Sequence, residues 1–503
     1  MPTETSETER KYDAGHDTRV PEFTEIPGVE QVTGTHETFL EAVYFDTQDK
    51  VLSARRITLR RRTGGADEGW HLKLPLGPDE RREIRAPLGQ PDVVPRELRD
   101  RLEAYTRGRE LTPLARLSTR RTVQGLYGPG GEHLADFADD RVHAINLRGT
   151  DQGTHWREWE IELVHATAKF FDAAAPALTA SGAVPAEHAA KIARALGDAW
   201  PPALAIRPAK PRKKGPAREV LIAYLDTQMA ELIANDAGVR TGAGEAVHDM
   251  RSAARRIRSA LRIYRPMLRR DAAAALGREL QWLGRMLGRP RDAEVRRDRI
   301  LAKLHQLPGE QDAGPARGAI EHELGTTYNT SYQRLLQALD TRRYFDLLDA
   351  LEDFRNRPPA KAKAKRPARK ASAKLVNNAA RRMDRSHRQA KKIGGGPQHD
   401  NALHEIRKDA KRLRHAAETV AAIHGKRARR IEKAAKRIQQ ILGERQDAVV
   451  ARELLHSLAA GPGLPAGTKT VYEELATAET RAAEQAEAAY RKARKKARKL
   501  RLR

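Results

Sequence analysis

Near its start the chain places Glu7, Glu9 and Lys11 at alternate positions. On a β-strand these three side chains point to one side. The arrangement recurs. Arg60 and Arg62 share a face within L-R-R-R, Leu59 to Arg62, and Lys73 turns away from Leu72 and Leu74. Arg81, Glu83 and Arg85 alternate with Arg82, Ile84 and Ala86. In E-W-E-I-E-L, Glu158, Glu160 and Glu162 oppose Trp159, Ile161 and Leu163. Two architectures fit this alternation: a sandwich whose charged faces meet water, and a closed barrel with a polar lumen and helices covering its apolar outside. In the barrel, carboxylates would hold a divalent cation, and arginine and lysine would hold oligophosphate oxygens.

A second charge pattern has the period of a helix. In Ala246 to Arg262, His248, Arg251, Arg255, Arg258 and Arg262 fall on one stripe, and Ala253, Ile257 and Ala260 lie opposite. The pattern returns in Ala402 to His415, where His404, Arg407, Lys411 and Arg414 take the places of His248, Arg251, Arg255 and Arg258. Like charges at helical spacing destabilise a helix by a few tenths of a kcal/mol per pair. A chain that repeats this cost has an anion to place there. Each basic helix is followed by L-G-x-x-x-D, at Leu287 to Asp292 and Leu442 to Asp447, so the unit is a duplicated helical hairpin with a period near 156 residues. The spacing predicts a helix interrupted or ended at the glycine, with the aspartate as a cap or an arginine partner.

The elements that position these groups divide by charge. The net charge is +27, yet residues 1–205 carry 27 Lys+Arg against 33 Asp+Glu, so the remainder holds all of the excess. A polyanionic partner is therefore expected for the helical part alone. With no cysteine there is no disulfide, thiolate metal site or thiol nucleophile. No apolar run is long enough to span a bilayer, and the polar, acidic N-terminus is unlike a secretory signal. These features exclude a membrane partner and set a cytoplasmic expectation. P-loop, zinc and dinucleotide signatures are missing. Helices are expected at Arg96–Arg107 and at Thr167–Leu196 with a break at Gly182–Pro185, the latter packed on an apolar side of the barrel.

The N-terminal motifs resemble the CYTH family, the triphosphate tunnel metalloenzymes. The opening E-x-E-x-K is followed in order by Y-F-D-T-x-D-x-x-L (Tyr44 to Leu52), L-R-R-R, L-K-L, R-x-E (Arg81 to Glu83), T-R-R-T (Thr119 to Thr122), L-A-D-F-A-D-D-R-V (Leu134 to Val142) and E-x-E-x-E-L. The resemblance implies an eight-stranded antiparallel tunnel that hydrolyses triphosphates or, in some members, cyclises ATP. It also implies Mg²⁺ or Mn²⁺ on Glu7, Glu9, Glu158, Glu160 and Glu162, phosphate on Arg60, Arg62, Lys73, Arg81 and Arg121, and Lys11 beside the reacting water or leaving phosphate. Strand alternation selects Arg81 over Arg82 and Arg121 over Arg120. Asp136 and Asp139 read as turn or cap residues.

The duplicated basic helices resemble the CHAD family, the conserved histidine α-helical domain. That resemblance implies two pseudo-symmetric four-helix bundles that bind inorganic polyphosphate. The fold class is thus α+β, an antiparallel β-barrel tunnel with flanking helices and then an all-α domain. The domains are expected at 1–203 and 218–503, joined by a linker at 204–217, with helical repeats at about 218–355 and 375–503 separated by an unpacked basic stretch at 356–374. From Arg491 the chain ends in a cationic tail. The combined expectation is a polyphosphate-binding protein, cytoplasmic and at polyphosphate granules, whose tunnel hydrolyses inorganic triphosphate or a relative. The alternatives are an inactive granule-associated factor, an adenylate cyclase-type enzyme and a nucleic-acid-binding protein. The basic helices would bind nucleic acid nonspecifically, but they lack Asn/Gln base readers and an aromatic platform.

Overall fold

The computed structural model describes residues 3–77, 79–149, 153–204, 210–307, 314–393, 396–462, 464, 466–497 and 500–502. Residues 205–209 of the expected linker, and 498, 499 and 503 of the tail, lie outside these. The chain forms two compact units, Met1–Ala205 and Ile206–Arg503.

The first unit is a closed antiparallel barrel of eight long strands: β1 (Thr3–Ala14), β2 (His36–Asp46), β3 (Thr58–Thr63), β4 (Gly69–Pro75), β5 (Glu80–Ala86), β6 (Thr112–Tyr127), β7 (His133–Asn146) and β8 (Thr154–Leu163). Their order is β1-β5-β4-β3-β2-β6-β7-β8, and the pairing of β8 with β1 closes the ring. Closure decides between the two architectures that the alternation left open. The apolar set faces outward and is covered. Trp70, Leu72, Leu59 and Ile84 pack on Leu98 and Leu102 of a helix over Arg96–Thr106. Tyr12, Phe137, Trp159 and Ile161 pack on Phe170, Phe171 and Leu178 of a helix over Lys169–Ala180. The other face, with every charged residue of the alternating set, turns inward.

The helical segment at Thr167–Leu196 is divided at the expected break, Gly182–Pro185. After Ala180 the chain adds a two-residue strand, Val184–Pro185, beside β1, then a short helix, Lys191–Leu196. This second piece does not cover the outside of the barrel. Ile192, Ala195 and Leu196 pack on Ala42, Tyr44, Leu117, Val142, Ala144 and Trp156. These residues share strand parity with the lumen charges, so the helix plugs one end of the lumen.

Asp46 explains the Y-F-D-T motif. Its carboxylate, 1% exposed, accepts hydrogen bonds from the backbone N–H groups of Thr47 (2.7 Å), Leu52 (2.9 Å) and Ser53 (2.9 Å) and from the Ser53 hydroxyl (2.7 Å). One side chain thereby shapes the return from β2 to β3.

The second unit is helical. One bundle comprises helices Ala217–Thr241, Ala246–Tyr264, Arg270–Met286 with Gly288–Leu304, and Gly314–Leu339 with Arg342–Asn356. The other comprises Ala368–Ala390, Pro397–Thr419, Lys426–Ala459 and Ala466–Lys496. The basic stripes lie on Ala246–Tyr264 and Pro397–Thr419, the second helix of each bundle. Their buried backs carry Met250, Ala253, Ile257 and Ala260, and Leu403, Ile406, Ala410 and Leu413. The bundles differ at the L-G motif: Gly288 follows a break between two helices, whereas Gly443 lies inside one unbroken helix. The predicted interruption is therefore confined to the first repeat. The basic stretch 356–374 is also packed, not free. Ala360 bridges to Leu268, Pro367 bridges to Pro216, Ala364 is 1% exposed, and a helix begins at Ala368. Ala364, Ala368 and Ala371 are buried and supply the contacts that a reading of its lysines and prolines misses.

Asp46→Ala leaves three buried N–H donors unmatched. At about 1–3 kcal/mol for each unsatisfied buried group, the barrel should lose roughly 3 kcal/mol or more. Urea unfolding followed by tryptophan fluorescence reports the barrel preferentially, because four of the five tryptophans (Trp70, Trp156, Trp159, Trp200) lie in the first unit. An unchanged midpoint would show that Asp46 does not organise this turn.

Candidate active site and anion-binding groove

A cavity inside the barrel is lined by eight cationic side chains (Lys11, Arg60, Arg62, Lys73, Arg81, Arg85, Arg121, Lys191) and six acidic ones (Glu7, Glu9, Asp67, Glu83, Glu160, Glu162) among the described residues. Strand parity places all but Asp67, in the turn between β3 and β4, and Lys191, on the plug helix. Lys11 pairs in register with Glu160, Glu9 with Glu162, and Arg121 with Asp140. The parity choices for the two arginine pairs match the structure: Arg82 lies outside against Glu4 and Arg120 outside against Glu37, while Arg81 and Arg121 face the lumen.

The lumen has a cationic wall and an acidic corner. Arg60 donates to the Tyr44 hydroxyl at 3.3 Å, and Arg62 pairs with Asp67. Lys73 meets Glu7 at 2.5 Å, and Arg81 meets Glu9 at 3.2 Å. Asp140, Glu158 and Glu160 are buried and each offers an oxygen within 4.8 Å of the others, with Arg121 bonded to Asp140 at 2.6 Å and to Glu160 at 2.5 Å. Such hard oxygen donors suit Mg²⁺ or Mn²⁺. Lys191 Nζ lies 2.8 Å from Asp140, 2.8 Å from Glu158 and 2.5 Å from Glu160. An ammonium is thus bonded to all three donors, which shows that the corner demands positive charge. Of the five carboxylates implied as metal ligands, Glu158 and Glu160 belong to this trio. Glu7 and Glu9 face the cationic wall, and Glu162 lies between.

The electrostatics follow from burial and partners. Burial raises the Glu9 carboxyl, but Lys11, Lys73, Arg81 and Lys191 outweigh it and hold the pKa well below the usual range. Burial also raises Asp140, and Arg121 with Lys191 more than reverses that. Burial lowers Lys11 to about 8 against the pull of Glu9. Glu162 is pushed up to about 7 by burial and by Glu7. His71 falls to about 4, chiefly through burial, and hydrogen-bonds to Glu83 at 2.9 Å. The lumen therefore holds ionised pairs together with two groups, Lys11 and Glu162, that titrate near neutrality.

Sequence reasoning put Glu83 on the charged face without giving it a site role, and missed Asp140, Lys191 and His71. For Asp140 the signal was present: Phe137 faces outward, so Asp139 does too, and Asp140 turns inward. Asp139 meets Arg157 at 2.8 Å, and Asp136 meets His133 at 2.7 Å. Lys191 carried no local signal, because its role depends on the plug helix reaching the lumen.

In the helical unit a groove of about 360 Å³ is lined by Arg255, Arg258, Arg262, Arg382, Lys408, Lys411 and Arg412, with Ser259 and Glu405. The two basic helices pack against each other. Of the predicted residues, Arg255, Arg258, Arg262 and Lys411 line this groove. Arg251 instead pairs with Asp292 at 2.8 Å, the role left open beside capping. His404 hydrogen-bonds to Gln446 at 3.1 Å, Arg414 donates to Gln439 at 3.4 Å, and His248 is exposed. A Cβ on Gly288 would lie 3.3 Å from Arg251, so this motif glycine makes room for a guanidinium group, whereas one on Gly443 would meet Arg407 at 3.6 Å, an ordinary contact. The Nε atoms of Arg255, Arg407 and Arg414 are buried without hydrogen-bond partners. Burial, then Arg255, Arg407, Arg251 and Arg258, lowers Lys411 to about 7.

The comparisons agree with this division. A CYTH domain model matches residues 6–194 and a CHAD domain model matches residues 223–456. Two uncharacterized proteins from strains of Mycobacterium tuberculosis are each 40% identical over 518 residues, covering 98% of this chain and 98% of their own length. Among solved structures, PptA from Streptomyces chartreusis is 22% identical, with a TM-score of 0.47 over 56% of this chain and 99% of its own. The CHAD domain from the plant Ricinus communis is also 22% identical, with a TM-score of 0.44 over 57% of this chain and 95% of its own. With two domain models matched in series and relatives aligned along nearly its full length, the chain belongs to the family of proteins in which a CYTH domain precedes a CHAD domain.

Proposed function

We propose that the barrel is a metal-dependent hydrolase of inorganic triphosphate or a related triphosphate, and that the helical unit binds inorganic polyphosphate. The observation that carries the first half is the division of the lumen into a cationic wall and a buried carboxylate trio. Arg60, Arg62, Lys73, Arg81 and Arg121 offer donors to phosphate oxygens. Asp140, Glu158 and Glu160 would hold Mg²⁺ or Mn²⁺, which polarises phosphoryl oxygens and lowers the pKa of water when bound. Lys191 stands at the trio and must yield or share it, while Lys11, next to Glu9 and Glu160, can hold or release a proton near neutral pH. No protein nucleophile is required, because charge developing on the transferred group is met by fixed cations. The plug helix closes one end of the lumen, so a phosphate chain would enter end-on from the other. The groove supports the second half: clustered cations, among them a lysine depressed by its neighbours, gain from a polyanion that supplies the missing counter-charge. The same cations would also hold nucleic acid nonspecifically.

Phosphate release from inorganic triphosphate, with and without Mg²⁺ or Mn²⁺, tests the barrel. Turnover should require metal and disappear in Glu158→Gln/Glu160→Gln. Arg60→Ala should lower kcat by about 10²–10³, the usual effect of removing one group that stabilises transition-state charge. If inorganic triphosphate, thiamine triphosphate and ATP all remain intact, the barrel is a binding module. If ATP instead yields cyclic AMP and pyrophosphate, it is a cyclase.

The groove makes a separate prediction with a definite sign. Free Lys411 is held near 7, so it is neutral above that pH. A bound polyanion favours its charged form and draws in a proton. Polyphosphate affinity should fall as pH rises through 7, with proton uptake visible as a buffer-dependent binding enthalpy, and Lys411→Arg should flatten both. An affinity that is level from pH 6 to 9 in the wild type would remove Lys411 from the site.

A further inference from the structure

The last helix, Ala466–Lys496, runs beyond the region matched by the CHAD model. With the end of Ala368–Ala390 and the start of Pro397–Thr419 it encloses a cavity of about 620 Å³, within the roughly 300–1,000 Å³ typical of small-molecule sites. The cavity differs from the basic groove and shares none of its lining residues. Ile393 and Leu403 give it an apolar side. Tyr490 and His387 meet edge-on, with ring centroids 6.0 Å apart and the hydroxyl 2.7 Å from Nδ1. Lys391, Arg491 and Lys495 are exposed and line it as well. The one acid in the lining, Glu487, is already engaged by Arg491 at 2.7 Å and His399 at 3.0 Å. His399 keeps a buried Nδ1 with no hydrogen-bond partner among the described residues.

We infer that this cavity binds a nucleoside monophosphate, its base against Ile393 and Leu403 and its phosphate on Arg491 and Lys495. Three features select that chemistry. The cations call for an anion. The apolar side, which a bare phosphate would leave unfilled, calls for a flat organic group. The Tyr490 hydroxyl, held on His387 Nδ1 and still able to accept, calls for a hydrogen-bonding group on that ligand, which an acyl chain lacks. The site belongs to the second repeat alone, because one period before His399 the chain has Ala243. The inference does not depend on the tunnel or on the groove.

Irradiation of the full-length protein with 8-azidoadenosine 5′-monophosphate, followed by peptide mapping, tests it. Label should appear on peptides containing Tyr490 or His387, should be prevented by excess AMP, and should survive excess inorganic phosphate or triphosphate. Arg491→Glu/Lys495→Glu, at exposed positions that leave the fold intact by circular dichroism, should weaken AMP binding about tenfold or more, the scale of losing charge-assisted contacts to a phosphate. Label confined to barrel peptides, equal protection by inorganic triphosphate, or unchanged affinity in the double variant would each overturn the proposal.

Discussion

The barrel depends on burying opposite charges together. Taking a single ion out of water costs several kcal/mol even after relaxation, and six acids and eight bases line one lumen. The cost is met because the charges alternate in space: Glu7 with Lys73, Glu9 with Arg81, Asp140 with Arg121, and Lys191 with the carboxylate trio. Such pairs rarely stabilise a fold beyond what well-packed apolar residues would give. The stability must come from outside the ring, where Trp70, Phe137 and Trp159 are sealed beneath two helices. Closure of the sheet is what separates the two tasks. An open sheet would give the charged face to water and would hold no fixed array.

The helical unit solves a different electrostatic problem, and leaves it partly unsolved. On its basic stripes the cations are near one another and short of acids. Arg251 has Asp292, but three motif arginines keep buried Nε groups without partners. Lys411 shows the consequence, with its charge disfavoured by burial and by the arginines around it. In the barrel most charges already face an opposite charge, so a ligand must exchange for existing partners, while Arg60, held among the described residues only by the Tyr44 hydroxyl, is left to an incoming anion. In the groove an anion completes an unfinished set. The first arrangement favours selective entry of a short, highly charged group together with a metal. The second favours affinity for any flexible polyanion, tuned by pH and salt.

Much of this was legible in the sequence because parity and period are strict. One residue of strand slip exchanges faces, so Leu72 and Leu74 flanking Lys73 settle where the lysine goes, and Ile84 settles Arg81 over Arg82. What parity cannot say is whether the charged face is enclosed. That requires the pairing of β8 with β1, which is long-range and has no local signature. Lys191 was hidden for the same reason: it sits on a six-residue helix whose place is fixed by Ile192 and Leu196 against residues from four strands. Asp140 was readable and overlooked, since the turn-like composition of A-D-D-R masked the alternation. The basic stretch 356–374 misled in the opposite way, because charge and proline content describe solvation and do not reveal that Ala364, Ala368 and Ala371 can be buried.

Duplication explains why the two helical repeats agree where they do and part elsewhere. His248 and His404, Arg251 and Arg407, and the glycines beside those arginines are held in both copies. Arg251 meets Asp292 and His404 meets Gln446 on the face that each basic helix turns to the helix carrying its L-G motif. Away from that face the constraint is only that apolar residues stay buried, and many backbones satisfy it. The helix carrying the L-G motif is broken in one copy and continuous over 34 residues in the other. Gly443 is therefore not a helix end, although a glycine inside an unbroken helix costs roughly 1 kcal/mol relative to alanine, and a Cβ there would meet Arg407 only at an ordinary 3.6 Å. In the first repeat the approach is tighter, 3.3 Å from Gly288 to Arg251, and a helix break lies beside it. The repeats thus share the glycine and its arginine neighbour, and the break accompanies Pro290, two residues on in the first copy alone.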